Sequence, residues 1–196
     1  MTRSPGREVP VKPLSVVRRQ RRVVNEQNEL RAVMSQFATG VTVLTAGGDG
    51  AHGMTANAFT SVSLTPPMVL CCVSRAARMH ASILAAQSFG VSILGADQTD
   101  TARWFADWRR PAGMAQFASI DHRIGKRTGA PLLTGALAWV ECRLHQVHEG
   151  GDHSVFLGRV VDCSRGQSSA ALSFFDGGYH RIGPATQPTT RARGAS

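Results

Sequence analysis

Long apolar runs are missing from this 196-residue chain: the longest, Met68–Val73, falls far short of the roughly 20 residues that a bilayer-crossing helix needs. A helical membrane anchor within the sequence is thereby excluded. The stretch Val16-Val17-Arg18-Arg19-Gln20-Arg21-Arg22-Val23-Val24 carries the paired arginines of an export signal, but no apolar segment follows it. The expected location is the cytoplasm. Cysteine is scarce, and Cys71, Cys72, Cys142 and Cys163 match neither a zinc nor a thioredoxin spacing. Adjacent Cys71 and Cys72 in a strand point to opposite faces and cannot share a metal, so buried free thiols are expected. Also missing are a nucleophile elbow and a glycine-rich phosphate loop followed by Lys-Ser/Thr, which leaves hydrolase and NTPase activities without a carrier.

Charge is sparse too, at 18% of residues against 42% apolar, enough to build the core of one compact domain. The formal net charge is nonetheless +9, which raises nucleic acid as a partner. The excess sits at the ends. Residues 1–29, with Pro5, Pro10 and Pro13 and no apolar period, are expected to form a flexible basic arm, and residues 184–196 a second tail. The intervening domain, 30–183, is nearly balanced, so nucleic acid is an unlikely partner for it.

Leu30, Val33, Met34 and Phe37 recur at helical spacing and predict a helix ending near Gly40. Val41–Thr45 has the alternation of a strand, and Gly47-Gly48-Asp49-Gly50 turns it into one extended segment from about Ala51 to Ser63. Pro66-Pro67 separates that segment from a buried-type strand, Met68–Val73. Helices are expected over 76–86 and 98–108, with strand Phe89–Leu94 between them, and Thr101, Trp104, Phe105 and Trp108 sharing one face of the second. Residues 109–133 look like a long functional loop. Ala136–His148 and His153–Cys163 alternate across Glu149-Gly150-Gly151-Asp152 as a hairpin. Six or so hairpin-linked strands with few helices predict a mainly β, antiparallel barrel.

Two patterns mislead. Gly48-Asp49-Gly50-Ala51-His52-Gly53 has the glycine spacing of a dinucleotide fold, but β-branched and serine-rich sequence follows where a helix is required. His145, His148, Asp152 and His153 gather potential metal ligands, yet a regular strand puts 145 and 148 on opposite faces, so no metal site is assigned. The small-polar run Thr55–Ser63 is the more suggestive one, because short side chains leave its peptide groups free to bond the edge of a flat heteroaromatic ligand.

Several blocks, in order, resemble the short-chain flavin reductases of two-component monooxygenases: RAVMSQFATGVTVLTA, GMTANAFTSVSLTPPMVLCCVS, FGVSILGADQTDTARWFA, GAPLLTGALAWVECRL, HEGGDHSVFLGRV and LSFFDGGYHRI. The resemblance runs from about Leu30 to Ile182 and implies an FMN-binding split β-barrel, antiparallel and of Greek-key type, working as a homodimer. It implies hydride transfer from NADH or NADPH to FMN or FAD, and delivery of reduced flavin to a partner monooxygenase.

By position in those motifs, His52, Gly53, Met54, Thr55, Asn57 and Ala58 are expected along the flavin ring. Cys72, Val73, Ser74, Arg78 and Met79 are expected at the ribityl chain and phosphate, and Trp104 and Phe105 from a second helix. Gly151, Asp152 and His153 would meet the nicotinamide nucleotide. Arg75 or Arg78, with the start of the 76–86 helix, can hold a phosphate by charge-assisted hydrogen bonds. No catalytic side chain is assigned, since hydride transfer needs positioned cofactors rather than an acid–base pair. Ala58 stands where the family commonly has serine, and Ser173-Phe174-Phe175 departs from the usual run before Gly177-Gly178-Tyr179. The alternatives are a flavoprotein that keeps its flavin and acts on another substrate, and a non-enzymatic flavin- or nucleic-acid-binding protein.

Overall fold

A computed structural model describes residues 26–183. A helix, α1, covers residues 26–34 and carries Leu30, Val33 and Met34, but it ends before Phe37 rather than near Gly40. Residues 26–29, expected in the basic arm, are therefore helical, while the rest of that arm and the 184–196 tail lie outside the described residues.

From Thr39 onward the chain is mainly β. The strands are β1 (Thr39–Gly40), β2 (Thr42–Ala46), β3 (His52–Ala56), β4 (Phe59–Leu64), β5 (Pro67–Ser74) and β6 (Ser88–Ile93). After them come β7 (His122–Ile124), β8 (Pro131–Leu133), β9 (Ala138–Gly150), β10 (His153–Arg165), β11 (Ala171–Phe175) and β12 (Gly178–Ile182). Two helices, α2 (Arg78–Ala86) and α3 (Thr99–Ala106), flank β6. Seven strands form one antiparallel sheet in the order β3-β2-β6-β9-β10-β5-β4, β1, β11 and β12 form a smaller one, and β7 pairs with β8.

Buried side chains from both ends of the large sheet share one core. Leu44 of β2, Ala56 of β3, Val69, Cys71 and Val73 of β5, and Phe156 of β10 pack with Met79 and Ile83 of α2. The sheet thus coils around that core as a split antiparallel barrel, with α2 over the opening. A second core gathers Val41, Val43, Leu94, Ala102, Phe105, Phe117, Leu133 and Leu172 around α3 and β11. Burial of so much apolar surface, at roughly 25 cal/mol per Å², is the main force holding this coil together.

The extended segment expected over Ala51–Ser63 is in fact two strands. β3 pairs with β2, whereas β4 pairs with β5, so Asn57-Ala58 crosses between the two edges of the large sheet. The Cys72 amide donates to Ala58 O at 3.0 Å and ties the crossing to β5. The alternation of small residues continues through the break without glycine or proline, which is why periodicity alone does not reveal it. Three further expectations change. Residues 109–133 contain a 3₁₀ turn, Gly113–Phe117, and the β7–β8 pair. Trp108 lies beyond α3 and is 81% exposed, so it does not share the buried face of Ala102 and Phe105. β11 and β12 bring the described strands well above the six expected.

Candidate functional site

Four pieces of chain meet at the mouth of the barrel: the start of β3, the Asn57-Ala58 crossing, the end of β5 leading into α2, and the β9–β10 turn. The last two are locked together. His153 lies opposite Ser74 in the β10–β5 ladder, the Arg75 amide donates to Asp152 O at 3.0 Å, and the Arg75 side chain donates to Gly151 O. Gly151 adopts φ +67°, a conformation that glycine enters without strain and other residues rarely do. Arg75 also faces Glu149 at 3.8 Å. Its guanidinium is thus occupied by the turn, which leaves Arg78, among the described residues at this mouth, as the cation open to a ligand.

Arg78 opens α2. That helix has Ala77 at its N-cap with no side-chain cap and no acid in its first turn. Among the described residues the Arg78 side chain makes no hydrogen bond or ion pair. An uncapped helix start beside an exposed guanidinium suits a phosphate group. At the neighbouring crossing, Asn57 and Ala58 are exposed, and because their carbonyls accept from the Phe59 and Cys72 amides, it is their N–H groups that a ligand can reach. The residues present therefore fit a flavin nucleotide, with its phosphate at α2 and its ring edge against backbone.

Not every residue carried over from the motifs can use its side chain. Val73, Met79 and Phe105 are fully buried in the two cores, so their side chains serve packing and only their backbone can face a ligand. Met54 is half-buried against the first core. Cys72 and Ser74 are half-buried at the end of β5, and the Ser74 hydroxyl accepts from the Ala76 amide at 3.3 Å. The Thr55 hydroxyl donates to Ala102 O at 2.7 Å, and the Trp104 indole donates to Gln116 O at 2.8 Å, so both hold neighbouring elements in place. Asp152 is exposed at the turn and His153 half-buried. His153 Nδ1 lies 2.8 Å from Asp152 Oδ1, and this contact holds the Asp152 carboxyl below its usual range.

Behind β3 lies a buried polar cluster that no pattern in the sequence announces. Gln116, fully buried in the 3₁₀ turn, accepts from the Gly53 amide at 2.9 Å through Oε1, and its Nε2 donates to Gly113 O at 2.8 Å and Ala51 O at 3.2 Å. Arg110, 9% exposed, donates to Gly53 O, to Asp107 O at 2.6 Å, and to Gln116 Oε1 at 3.3 Å. Its Nη2 also stands 3.1 Å from His52 Nε2. A guanidinium only donates, so His52 Nε2 accepts from it and the imidazole is held neutral. Burial, then Arg110, then Arg78 push the His52 pKa down to about 4. Burial likewise lowers the Arg110 pKa, with the nearby Arg78 charge adding to it. Arg109-Arg110-Pro111 looks like solvated loop in the sequence. Nothing in its pattern distinguishes the buried arginine from its exposed neighbour, which pairs with Asp107 at 2.9 Å.

Gly53 is required by this packing, because a Cβ there would come 2.5 Å from Phe105 Cε1. β3 is thus held from behind by Phe105, Gln116 and Arg110, and its His52–Thr55 backbone cannot shift independently of α3.

A family model described as "Flavin reductase like domain" matches residues 34–183. An "NADH-dependent FAD reductase" of Streptomyces globisporus is 48% identical over 156 residues, covering 80% of this chain and 86% of that protein. Among solved structures, BorF, the flavin reductase component of a bacterial two-component tryptophan halogenase, superimposes with a TM-score of 0.78 at 48% identity, covering 81% of this chain and 99% of BorF. The NADH:FAD oxidoreductase SgcE6 of Streptomyces globisporus, solved with NAD and FAD fragments, gives 0.77 at 45% identity, with 82% and 95% covered.

Proposed function

The chain belongs to the flavin reductase-like family, and from that membership we propose that it transfers hydride from NADH to FAD and hands the reduced flavin to a separate oxygenase. The observation that carries this reading is the meeting of the exposed Asn57-Ala58 crossing, the unpaired Arg78 at the uncapped start of α2, and the Gly151–His153 turn at one mouth of the barrel. The similar proteins support the choice of NADH and FAD, and BorF supports the two-component arrangement.

When bound, the flavin supplies the hydride acceptor and the nicotinamide the donor. The work of this chain is to bind and orient them. Arg78 and the first turn of α2 hold the phosphate. The N–H groups of the Asn57-Ala58 crossing serve the ring edge, where reduction deposits negative charge, while Gly53, its N–H and C=O held by Gln116 and Arg110, fixes the strand that leads into them. The Gly151–His153 turn receives the nicotinamide nucleotide, His153 offering a half-buried but accessible imidazole and Gly151 room for close approach. Arg110 and Gln116 keep β3 from moving as the ligands enter and leave. The chain acts as a homodimer, as the resemblance implies. It works in the cytoplasm, where its free thiols stay reduced and the nicotinamide pool is available. No described helix is long and apolar enough to cross a membrane.

The test is NADH and NADPH oxidation by the purified protein with FAD, FMN, riboflavin or no added flavin, in air and without oxygen. Turnover that depends on added flavin, with bleaching of free flavin in the absence of oxygen, is the expected result. Oxidation that needs no added flavin would instead favour a flavoprotein with a permanently bound cofactor, and no oxidation with any flavin would overturn the proposal.

A further inference from the structure

We propose that Arg127, Arg143 and Arg159 form a second ligand site, separate from the flavin site, for a compact phosphate-bearing polyanion such as a diphosphate. Arg143 of β9 and Arg159 of β10 are directly opposite one another in the ladder. The row continues to Ser88 of β6 on one side and Met68 of β5 on the other, so it contains no acid. Like charges facing across a strand pair destabilise a sheet unless something offsets them. Here a third cation is added rather than an anion. Arg127, from the loop between β7 and β8, joins the pair around a concavity of about 430 Å³, with Val161 as its apolar wall.

The loop that delivers Arg127 is fixed from within. Glu141 is 2% exposed, and its Oε2 accepts from the amides of Arg127 at 3.0 Å and Thr128 at 2.8 Å and from the Thr128 hydroxyl at 2.7 Å. That carboxylate is committed to holding the loop. Asp162, opposite Glu141 on β10, makes no ion pair with any of the three arginines. Among the described residues, none of the three guanidinium groups has a hydrogen-bond or ion-pair partner. Three planar forks around a space of this size match the oxygens of a diphosphate, and the volume falls within the range of small-molecule pockets, roughly 300–1,000 Å³. Arg159 lies along β10 from His153 by about 20 Å at some 3.3 Å per residue, which separates the two sites.

The test uses the full chain with FMN in excess, so that the flavin site is filled by a ligand that carries no diphosphate, in a low-salt buffer free of phosphate and sulfate. Pyrophosphate and ADP are titrated while Tm is followed, with adenosine as the uncharged control. Tm should rise by roughly 5 °C at a hundredfold excess over Kd, and adenosine should not move it. Equal rises with pyrophosphate and ADP assign the site to a free diphosphate, and a larger rise with ADP assigns it to a nucleotide. Arg159→Glu should abolish the rise and, by pairing with Arg143, should not lower the ligand-free Tm. Arg159→Gln should abolish it too, and covers the case in which the charge reversal prevents folding. No rise in the unaltered protein, or an equal rise in either variant, overturns the proposal.

Discussion

Behind β3, Arg110 is buried at 9% exposure, and its nitrogens are spent on two peptide carbonyls, a glutamine oxygen and a neutral histidine. On the β9–β10 face, Arg143 and Arg159 confront each other exposed and, among the described residues, without partners. Arg78 at the start of α2 belongs with the second pair. The same side chain is a structural tie where four of its five donors are used and stands open to solvent where none is. Buried, unmatched charge is costly, so Arg110 persists only because its hydrogen bonds are nearly complete, whereas exposed arginines keep their hydration until a ligand replaces it.

The sharpest break of that contrast is Arg110→Met. It should lower the free energy of unfolding by about 3 kcal/mol, because Gly53 O, Asp107 O and His52 Nε2 lose their donors in a buried place. Arg159→Gln, unfolded in urea alongside it, should change stability by no more than about 0.5 kcal/mol. Equal costs would show that burial does not separate the two arginines.

The next effect follows from the neutral His52. In the unfolded chain its imidazole takes up a proton near pH 6.5, but the folded one refuses it until about pH 4. The unfolded state therefore binds more protons in that window, and stability should fall as pH drops from 6.5 toward 4 and level off below, by up to about 3 kcal/mol. His52→Gln should flatten that part of the urea-unfolding profile. A profile as steep as that of the unaltered protein would remove His52 as its source.

Smaller still is Arg78→Ala, which should raise the KM for FMN and FAD about tenfold, or about 1.4 kcal/mol, and leave riboflavin, which lacks phosphate, unchanged. Equal loss with riboflavin would mean that Arg78 acts on the fold rather than on the phosphate. Smallest is His153→Ala. It should raise the KM for the nicotinamide about threefold with little change for flavin. An unchanged nicotinamide KM would take His153 out of the site.

Much of this frame is legible in the sequence because period-two alternation survives wherever one strand face is buried. β2, β5 and the β9–β10 hairpin fall close to where Val41–Thr45, Met68–Val73, Ala136–His148 and His153–Cys163 place them. The turn of Gly151, Asp152 and His153 is legible as well, through its glycines. Two kinds of information are not. The crossing at Asn57-Ala58 is tertiary, since only the pairing of β4 with β5 shows that a continuous small-residue run changes edges. Side-chain direction is the other: motif position puts Val73, Met79 and Phe105 beside the flavin, but packing turns all three inward. Arg110 and Gln116 are invisible for the same reason, as their importance lies in burial inside a loop with no periodic pattern.

The Asn57-Ala58 crossing means that the barrel mouth is bridged by covalent bonds as well as by a hydrogen-bonded seam. Strand registers can slip and seams can breathe, but a peptide linker fixes the maximum separation of the ends it connects. New termini placed between residues 57 and 58, with the old ones joined, would keep every side chain and every ladder partner of the protein and remove only that limit. The crossing is therefore a tether that limits how far the two edges of the large sheet can part.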